Sequence, residues 1–189
     1  MLFLAYLCTF VYLKDQEIKI TVDIMKKLLF LFFALASVTF LYAYDFQLGN
    51  FYYEITSDST VMVTSKSASS PYNDGVTITS AIIPSSVSYS GKIFAVTAID
   101  DYAFRNCTSL ASVTIPTSII EIGFHAFDKT ALYDNSSKWE NDVLYIGDCL
   151  IEAKPTLSGS YVIKSNTRLV AASSFDECSS LTASQFQKM

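Results

Sequence analysis

The hydrophobic positions of this chain recur at a fixed period. The segment Ile99-Asp-Asp-Tyr-Ala103-Phe104-Arg-Asn-Cys107-Thr-Ser-Leu110 is followed by a second Ala-Phe pair, in which Phe127 lies 23 positions after Phe104. A third copy spans residues 170–181 and carries Phe175 in the same place. A period in the twenties is typical of a stacked repeat, in which each unit buries its apolar side against its neighbours. The pattern therefore predicts a solenoid.

Two spacings alternate within each unit. Val113 and Ile115 alternate with Ser112 and Thr114, which predicts a strand that Pro116 ends. The preceding apolar residues are three or four positions apart, which predicts a short helical or 3₁₀ segment with its apolar side turned inward. The predicted repeat core consists of Ile99, Ala103, Phe104, Cys107, Leu110, Val113, Ile115, Ile122, Ala126, Phe127, Val170, Phe175, Cys178 and Leu181.

Residues 44–95 have the pattern of short strands rather than of the repeat. Aromatic and β-branched runs at 51–55 and 61–63 flank a polar turn, and a second tight turn lies between Tyr89 and Phe94. Both patterns predict hairpins. Because the first unit of a solenoid would otherwise expose its apolar side, we expect residues 44–95 to form a cap together with a first degenerate unit, and the repeats to occupy 96–189.

Two insertions lengthen the spacing between units. Ile83-Pro84 matches Ile115-Pro116 at an offset of 32, and Phe175 follows Phe127 by 48 residues. The second insertion, at about 133–162, contains two short apolar runs around Gly147-Asp148, which predicts a hairpin with a type II′ turn. A degenerate hidden repeat is the alternative interpretation.

The N-terminal region has the pattern of an export signal. Met25-Lys-Lys27 precedes an apolar stretch that ends at Ala43, so residues 25–43 are expected to be a signal peptide cleaved after Ala43. As a helix, the stretch 28–43 would be about 24 Å long and thus shorter than the hydrocarbon core of about 30 Å. We therefore expect no membrane span in the mature chain. Residues 1–24 are interpreted as an upstream extension that does not belong to the protein.

Charge and cysteine content narrow the choice of partners. Beyond Ala43 the chain has 9 lysines and arginines against 15 aspartates and glutamates, a net charge of −6. Such a surface repels phosphate backbones, so no nucleic-acid partner is expected. The same part contains three cysteines, Cys107, Cys149 and Cys178, and an odd number does not favour a disulfide framework. We expect them to pack as small apolar side chains.

No catalytic constellation is visible in the sequence. His125 is the only histidine and has no partners at metal-ligand spacing. The acidic pairs Asp100-Asp101 and Asp176-Glu177 are interpreted as residues that favour the start of a helical segment. Because there is also no glycine-rich phosphate loop and no nucleophile elbow, we expect neither an enzyme, nor a metal, nor a cofactor.

Three residues are candidates for ligand contact. Ser112 and Thr114 point away from the core, on the strand-lined face that repeat proteins use for binding. Trp139, the single tryptophan, lies in the second insertion, where it would either anchor a partner or cover the apolar side of the insertion itself.

The repeat letters resemble those of BspA-type leucine-rich repeat proteins of bacterial and some protist cell surfaces. Ile115-Pro116, Ile122-Gly123, Ala126-Phe127 and Cys107-Thr-Ser-Leu110 carry the resemblance, which covers about residues 45–185. It implies a leucine-rich-repeat solenoid of the α/β horseshoe type, rich in strands, with short helical or 3₁₀ segments and an N-terminal β-hairpin cap.

The sequence departs from the family pattern at two places. In the second unit Thr130 stands where a cysteine would fall, and Leu132 arrives one residue early. In the third unit no Ile-Pro strand follows Leu181, so we expect the solenoid to stop in mid-unit, as in a truncated product.

The resemblance also implies a function. It predicts a secreted or cell-surface module without enzymatic activity that binds a protein, a matrix component or a neighbouring cell. The alternative is a structural surface-layer or spacer repeat protein without a defined ligand, and either could be a fragment of a longer adhesin.

Overall fold

Short strands and tight turns make up the computed structural model, which describes residue 27 and residues 44–66 and 78–186. The predicted signal peptide and upstream extension lie outside these described residues, apart from Lys27. The strands are β1 Phe46–Leu48, β2 Phe51–Ile55, β3 Thr60–Thr64, β4 Ser80–Ile82, β5 Ser86–Tyr89, β6 Lys92–Ile99, β7 Ser112–Thr114, β8 Glu121–Ile122, β9 Trp139–Glu140, β10 Val143–Ile146, β11 Cys149–Ala153, β12 Gly159–Ile163, β13 Leu169–Val170 and β14 Leu181–Phe186. A helix of one turn, α1 Ala131–Asp134, and a 3₁₀ turn, η1 Ser136–Lys138, interrupt this series.

The N-terminal strands form one curled sheet, called here the cap sheet. Its order is β1-β2-β3-β6-β5, and β8 also pairs with β6. The two predicted hairpins are present as β2–β3 and β5–β6. The rings of Phe46 and Tyr89 stack with centroids 4.0 Å apart, so the strands at the two ends of the sheet curl towards each other. Strand β6 leads from this cap into the first repeat unit.

The repeat units are joined by their backbones. Ile99 pairs with Ile122 in the parallel ladder of β6 and β8. Further along the same units, the N–H groups of Tyr102, Phe104 and Asn106 donate to the carbonyls of Phe124, Ala126 and Asp128. Backbone bonds therefore run from unit to unit at alternate residues.

The predicted helical segment is a run of turns in the first unit. Residues 101–106 are turns, in which Arg105 N–H bonds to Tyr102 O and Cys107 N–H to Phe104 O. A helix cannot continue through this segment because Tyr102 and Asn106 have positive φ angles of 57° and 63°. The apolar side still faces inward: Ala103, Phe104, Cys107 and Leu110 are buried.

The core forms two clusters. The larger one joins the cap to the first two units and contains the stacked Phe104 and Phe127; the smaller one contains Cys178 and, at its edge, Phe175. Nine predicted core residues are buried, and the remaining five, Val113, Ile115, Val170, Phe175 and Leu181, are half-buried.

Cys178 belongs to the buried group together with Ile99, Ala103, Phe104, Cys107, Leu110, Ile122, Ala126 and Phe127.

The second insertion pairs with the third unit through backbone hydrogen bonds, as the repeat units pair with one another. Its hairpin, β10–β11, is present, and Gly147 alone of the two turn residues has a positive φ, as a type II′ turn requires. Strand β11 pairs in parallel with β13, and Ala153 N–H donates to Ser174 O just as Phe104 N–H donates to Ala126 O. These contacts favour the interpretation as a hidden repeat.

The last unit contains a strand, although no Ile-Pro pair follows Leu181. Residues 181–186 form β14, which pairs in parallel with β12. Phe186 follows Phe175 by 11 positions, as Ile115 follows Phe104. An aromatic residue thus stands where the first unit has Ile115 before Pro116, and the backbone ladder forms without an Ile-Pro pair.

Candidate binding face and polar clusters

The outer side of β4 and β7 is a small parallel strand face. Ser80 pairs with Ser112, and Ile82 pairs with Thr114. All four residues are exposed, while Ala81 between them is buried. The alternation follows from the two-residue period of a strand, which puts Ser112 and Thr114 on the side opposite the core. The predicted pair therefore lies beside a second exposed pair.

Sequence reasoning missed Ser80 and Ile82. Ser112 Oγ donates a hydrogen bond to Ser80 Oγ over 3.0 Å. Ile82 is 70% exposed and is the one apolar residue among the four exposed residues of this face. The signal was present in the sequence, since the offset of 32 that relates Ile83-Pro84 to Ile115-Pro116 also relates Ser80 to Ser112.

A second pair of strands, β12 and β14, continues the face after a break. Ser160, Val162 and Thr182 are exposed there, Val162 by 55%. The break lies at residues 135–137, which follow Phe127 as Ser112–Thr114 follow Phe104, and which belong largely to η1.

The break begins at Thr130, where the cysteine of the family pattern is missing. The Thr130 side chain is buried, donates to Phe127 O over 2.8 Å and accepts from Tyr133 N–H over 3.1 Å. It is therefore the N-cap of α1. The next cap is Asn135, whose Oδ1 accepts from Ser137 N–H. Two successive caps turn the chain into helical turns where the first unit has a strand.

Trp139 lies against its own domain. Its Nε1 donates to Tyr133 O over 2.7 Å, and its ring packs edge-on against the Tyr133 ring with centroids 5.1 Å apart. The Nζ of Lys154 lies 4.9 Å from the centroid of the indole ring. The indole is half-buried. Of the two roles considered for Trp139, these contacts favour covering the insertion.

The three cysteines are buried free thiols. Burial raises the pKa of Cys107 to about 12. Burial also raises the pKa of Cys149 to about 11, although the nearby Arg168 favours the thiolate. For Cys178 burial, then the charges of Glu177 and Glu152, raise the pKa. Nucleophilic and metal-binding cysteines act as thiolates, so this environment suits packing rather than chemistry.

A polar cluster lies between the second unit and the insertion. Glu152 is 8% exposed; it accepts a hydrogen bond from Tyr133 Oη over 3.1 Å and lies 3.4 Å from His125 Nδ1. Judged by the backbone bond of Ala153, Glu152 stands where the other units have Ala103, Ala126 and Ser174. Burial raises its pKa, against the opposing effect of His125. Sequence analysis did not predict this buried carboxylate.

The acidic pairs have different surroundings from those expected. Asp100 accepts from Thr64 Oγ1 over 2.7 Å and from Asp101 N–H, and Asp101 accepts from Phe124 N–H over 2.7 Å. The interpretation of this pair as the start of a helix is wrong, because it ties turns of neighbouring units together. Asp176 and Glu177 are exposed. Across residues 44–66 and 78–186 no three His, Cys, Asp or Glu side chains are placed to hold a metal ion.

The comparison with family models identifies the repeat. The model of the "BspA type Leucine rich repeat region (6 copies)" matches residues 72–189. The chain belongs to the BspA-type leucine-rich repeat family. The resemblance in the repeat letters and the predicted solenoid are both confirmed. No curated protein matches the sequence.

Several solved structures are similar to this leucine-rich repeat chain. A leucine-rich repeat protein from Bacteroides capillosus ATCC 29799 aligns with a TM-score of 0.45 at 22% identity, over 76% of this chain and 98% of that one. A leucine-rich cell surface protein from Faecalibacterium prausnitzii A2-165 aligns with a TM-score of 0.36 at 18% identity, over 75% and 42%. The pneumococcal vaccine antigen PcpA aligns with a TM-score of 0.34 at 11% identity, over 76% and 38%. This chain thus spans less than half the length of the last two.

Within the described part of the chain, no helix is both long and apolar enough to cross a bilayer.

Proposed function

We propose that this protein is a secreted or cell-surface binding module without enzymatic activity, and that it holds a protein or matrix ligand on its strand face. The observation that carries the proposal is the exposed face of β4 and β7, where Ile82 projects among the hydroxyl groups of Ser80, Ser112 and Thr114. The face therefore offers a ligand one apolar contact and three hydroxyl groups for hydrogen bonds, and protein interfaces combine these two kinds of contact.

The family and its neighbours support the location. BspA-type repeats and a cell-surface protein are among the matches of this chain, and residues 25–43 have the pattern of an export signal. The backbone ladder supports the role, since it holds the strand face on rigid neighbours and so lowers the entropy lost on binding.

Binding to immobilised matrix proteins and to intact bacterial cells tests the proposal. The full chain is expected to bind at least one of them saturably. The triple substitution Ser80→Lys, Ser112→Lys and Thr114→Lys is expected to weaken that binding at least tenfold. The matched control changes three exposed residues of the β2–β3 turn, Ser57→Lys, Asp58→Lys and Ser59→Lys, and is expected to bind like the natural chain.

Two outcomes would overturn the proposal. An equal loss of affinity in the control and in the strand-face variant would show that the strand face does not contact the ligand. Absence of saturable binding, together with self-assembly into ordered arrays, would favour the structural surface-layer role. Fractionation of the producing cells with an antibody against the chain tests the location, and a product confined to the cytoplasm would contradict it.

A further inference from the structure

A row of four residues crosses the outer side of the cap sheet. Glu54 on β2 pairs with Met62 on β3, Met62 with Ala98 on β6, and Ala98 with Glu121 on β8. None of the four is buried, while the adjacent Tyr53, Val63 and Ile99 are. The row therefore presents an acidic residue at each end and two apolar residues between them on one surface.

A cleft of about 170 Å³ opens over the apolar middle of this row. Met62 and Ala98 line it together with Thr97 and Ile120. Between Val61↔Val96 and Met62↔Ala98 the register skips Thr97, so β6 has a bulge there. A bulge redirects side chains, and here it leaves both Thr97 and Ala98 beside the cleft. Ile120 is 75% exposed, so the cleft has an apolar wall with no covering side chain from the described residues.

The rim of the cleft is negatively charged. Asp100, Asp101 and Glu121 line it, and Glu54 lies at the end of the row. In the described ranges no lysine or arginine forms an ion pair with any of these four residues. Burial raises the pKa of Glu54, and the negative charges of Asp100 and Asp45 raise it further. This cleft is therefore a place where added positive charge relieves repulsion.

We propose that this cleft docks a basic, extended segment of a protein partner, with one apolar side chain in the cleft and a lysine or arginine on each side of it. The apolar side chain contacts Met62, Ala98 and Ile120, and the two cations pair with Glu54 and Glu121. This second surface is distinct from the strand face of β4 and β7, and the proposal stands whether or not that face binds a ligand.

The spacing of the row sets the sequence of the segment. Neighbouring strands lie about 4.8 Å apart, so the three steps from Glu54 to Glu121 span roughly 14 Å. In an extended peptide, residues i and i+4 point to one side about 13 Å apart, with residue i+2 midway. The segment that fits has the order basic-x-apolar-x-basic.

Fluorescence anisotropy with short labelled peptides tests the proposal. The full chain is expected to bind a peptide with Lys-x-Leu-x-Lys, and to bind at least tenfold more weakly to one with Glu-x-Leu-x-Glu and to one with Lys-x-Ser-x-Lys. Raising the salt concentration from 50 mM to 500 mM is expected to weaken binding of the first peptide, because exposed ion pairs are screened.

Charge reversal provides the matched variants. The double substitution Glu54→Lys and Glu121→Lys is expected to lower the affinity for Lys-x-Leu-x-Lys at least tenfold and to gain binding of Glu-x-Leu-x-Glu. The control carries the same charge change at two exposed sites elsewhere, Asp58→Lys and Asp176→Lys, and is expected to retain the original preference. Because a misfolded chain would bind neither peptide, new binding of the acidic peptide shows that the variant is folded and that only its surface has changed.

Three results would overturn the proposal. One is no detectable binding of Lys-x-Leu-x-Lys to the natural chain. Another is equal affinity for Lys-x-Ser-x-Lys, which would indicate attraction by charge alone. The third is equal weakening in the control variant. Sedimentation of the natural chain adds a further check, since a dimer that Ile120→Lys dissociates would assign the cleft to a second copy of the chain instead.

Discussion

The ring of Phe104 lies parallel to the ring of Phe127, with 5.4 Å between their centroids and 5° between their planes. The two residues hold the same place in successive units, and each is at most 1% exposed. This contact is the side-chain counterpart of the backbone bonds that join the first two units.

Truncation of this stack should be costly. Phe127→Ala removes a fully buried ring and leaves a cavity, which should lower the free energy of unfolding by about 3–5 kcal/mol. Chemical denaturation measures the loss. Ile120→Ala is the control, because Ile120 is 75% exposed and its truncation should change stability by less than about 0.5 kcal/mol. Similar losses in both variants would contradict the role of the stack.

The glycine of the Ile-Gly motif is fixed by the neighbouring unit. A Cβ atom at Gly123 would overlap the backbone nitrogen and the carboxylate of Asp101. Gly123→Ala should therefore force the two units apart and destabilise the fold by about 1–3 kcal/mol, as overpacking does. Thermal unfolding measures this effect.

Gly49→Ala separates the effect of crowding from that of backbone freedom. Gly49 has a positive φ of 57° but open space around its Cβ position. Its substitution should cost about 1 kcal/mol through backbone strain alone. A Gly123→Ala variant as stable as the natural chain would show that the units can shift without loss.

The residue two positions before each repeat phenylalanine has a left-handed backbone conformation. Tyr102, His125 and Ser173 have φ angles of 57°, 48° and 57°. Ser173→Val should cost about 1–2 kcal/mol, since a β-branched residue resists this conformation, while Ser173→Asn should be nearly neutral. Thermal melts of both variants and of Ala172→Val, at a neighbouring exposed site without positive φ, measure the difference. An equal cost at residues 172 and 173 would count against backbone strain as the cause.

Glu152 should make stability depend on pH. Because burial raises its pKa in the folded chain above the ordinary value of 4.5, the folded state keeps a proton that the unfolded state has lost. Stability should therefore fall as the pH rises from 4.5 through the folded pKa. Glu152→Gln keeps an acceptor for Tyr133 Oη but does not titrate.

Thermal melts between pH 4 and pH 8 measure this effect. Glu152→Gln should be more stable than the natural chain at pH 7, and the difference should shrink towards pH 4. The exposed Glu177→Gln is the control and should follow the natural chain. A Glu152→Gln variant that loses more stability at pH 7 than at pH 4 would mean that the charged pair with His125 outweighs burial.

The fold was predictable because its repeat depends on side-chain size and period. Phe104 and Phe127 appear in the sequence at the offset that the stack requires, and Gly147 marks its turn by residue type alone. The segment predicted as helical or 3₁₀ is a run of turns with backbone bonds between residues three apart, because spacings of three and four suit successive turns as well as a helix. Only the backbone angles of Tyr102 and Asn106 distinguish the two. Asparagine is among the residue types that adopt a positive φ most readily, but tyrosine gives no such signal.

The surfaces were less accessible to sequence reasoning. Ser112 and Thr114 were found from strand alternation, but their role as ligand contacts stays a prediction. The pairing of Glu54 with Met62 and of Ala98 with Glu121 joins residues far apart in the sequence, and the bulge at Thr97 shifts the register by one. Glu152 lies in a place where the other units have small residues, so the repeat pattern itself concealed it.

The two caps at Thr130 and Asn135 divide the strand face into two parts. They replace one strand of the series with helical turns, so β4–β7 and β12–β14 are two separate contact areas instead of one continuous surface. A ligand with a single short epitope can occupy only one of them. A ligand with two epitopes at the matching distance makes its second contact intramolecularly and gains avidity without any new type of interaction. Under the proposed function, the second unit would therefore make the spacing of a ligand's epitopes, rather than the chemistry of each, the basis of selection.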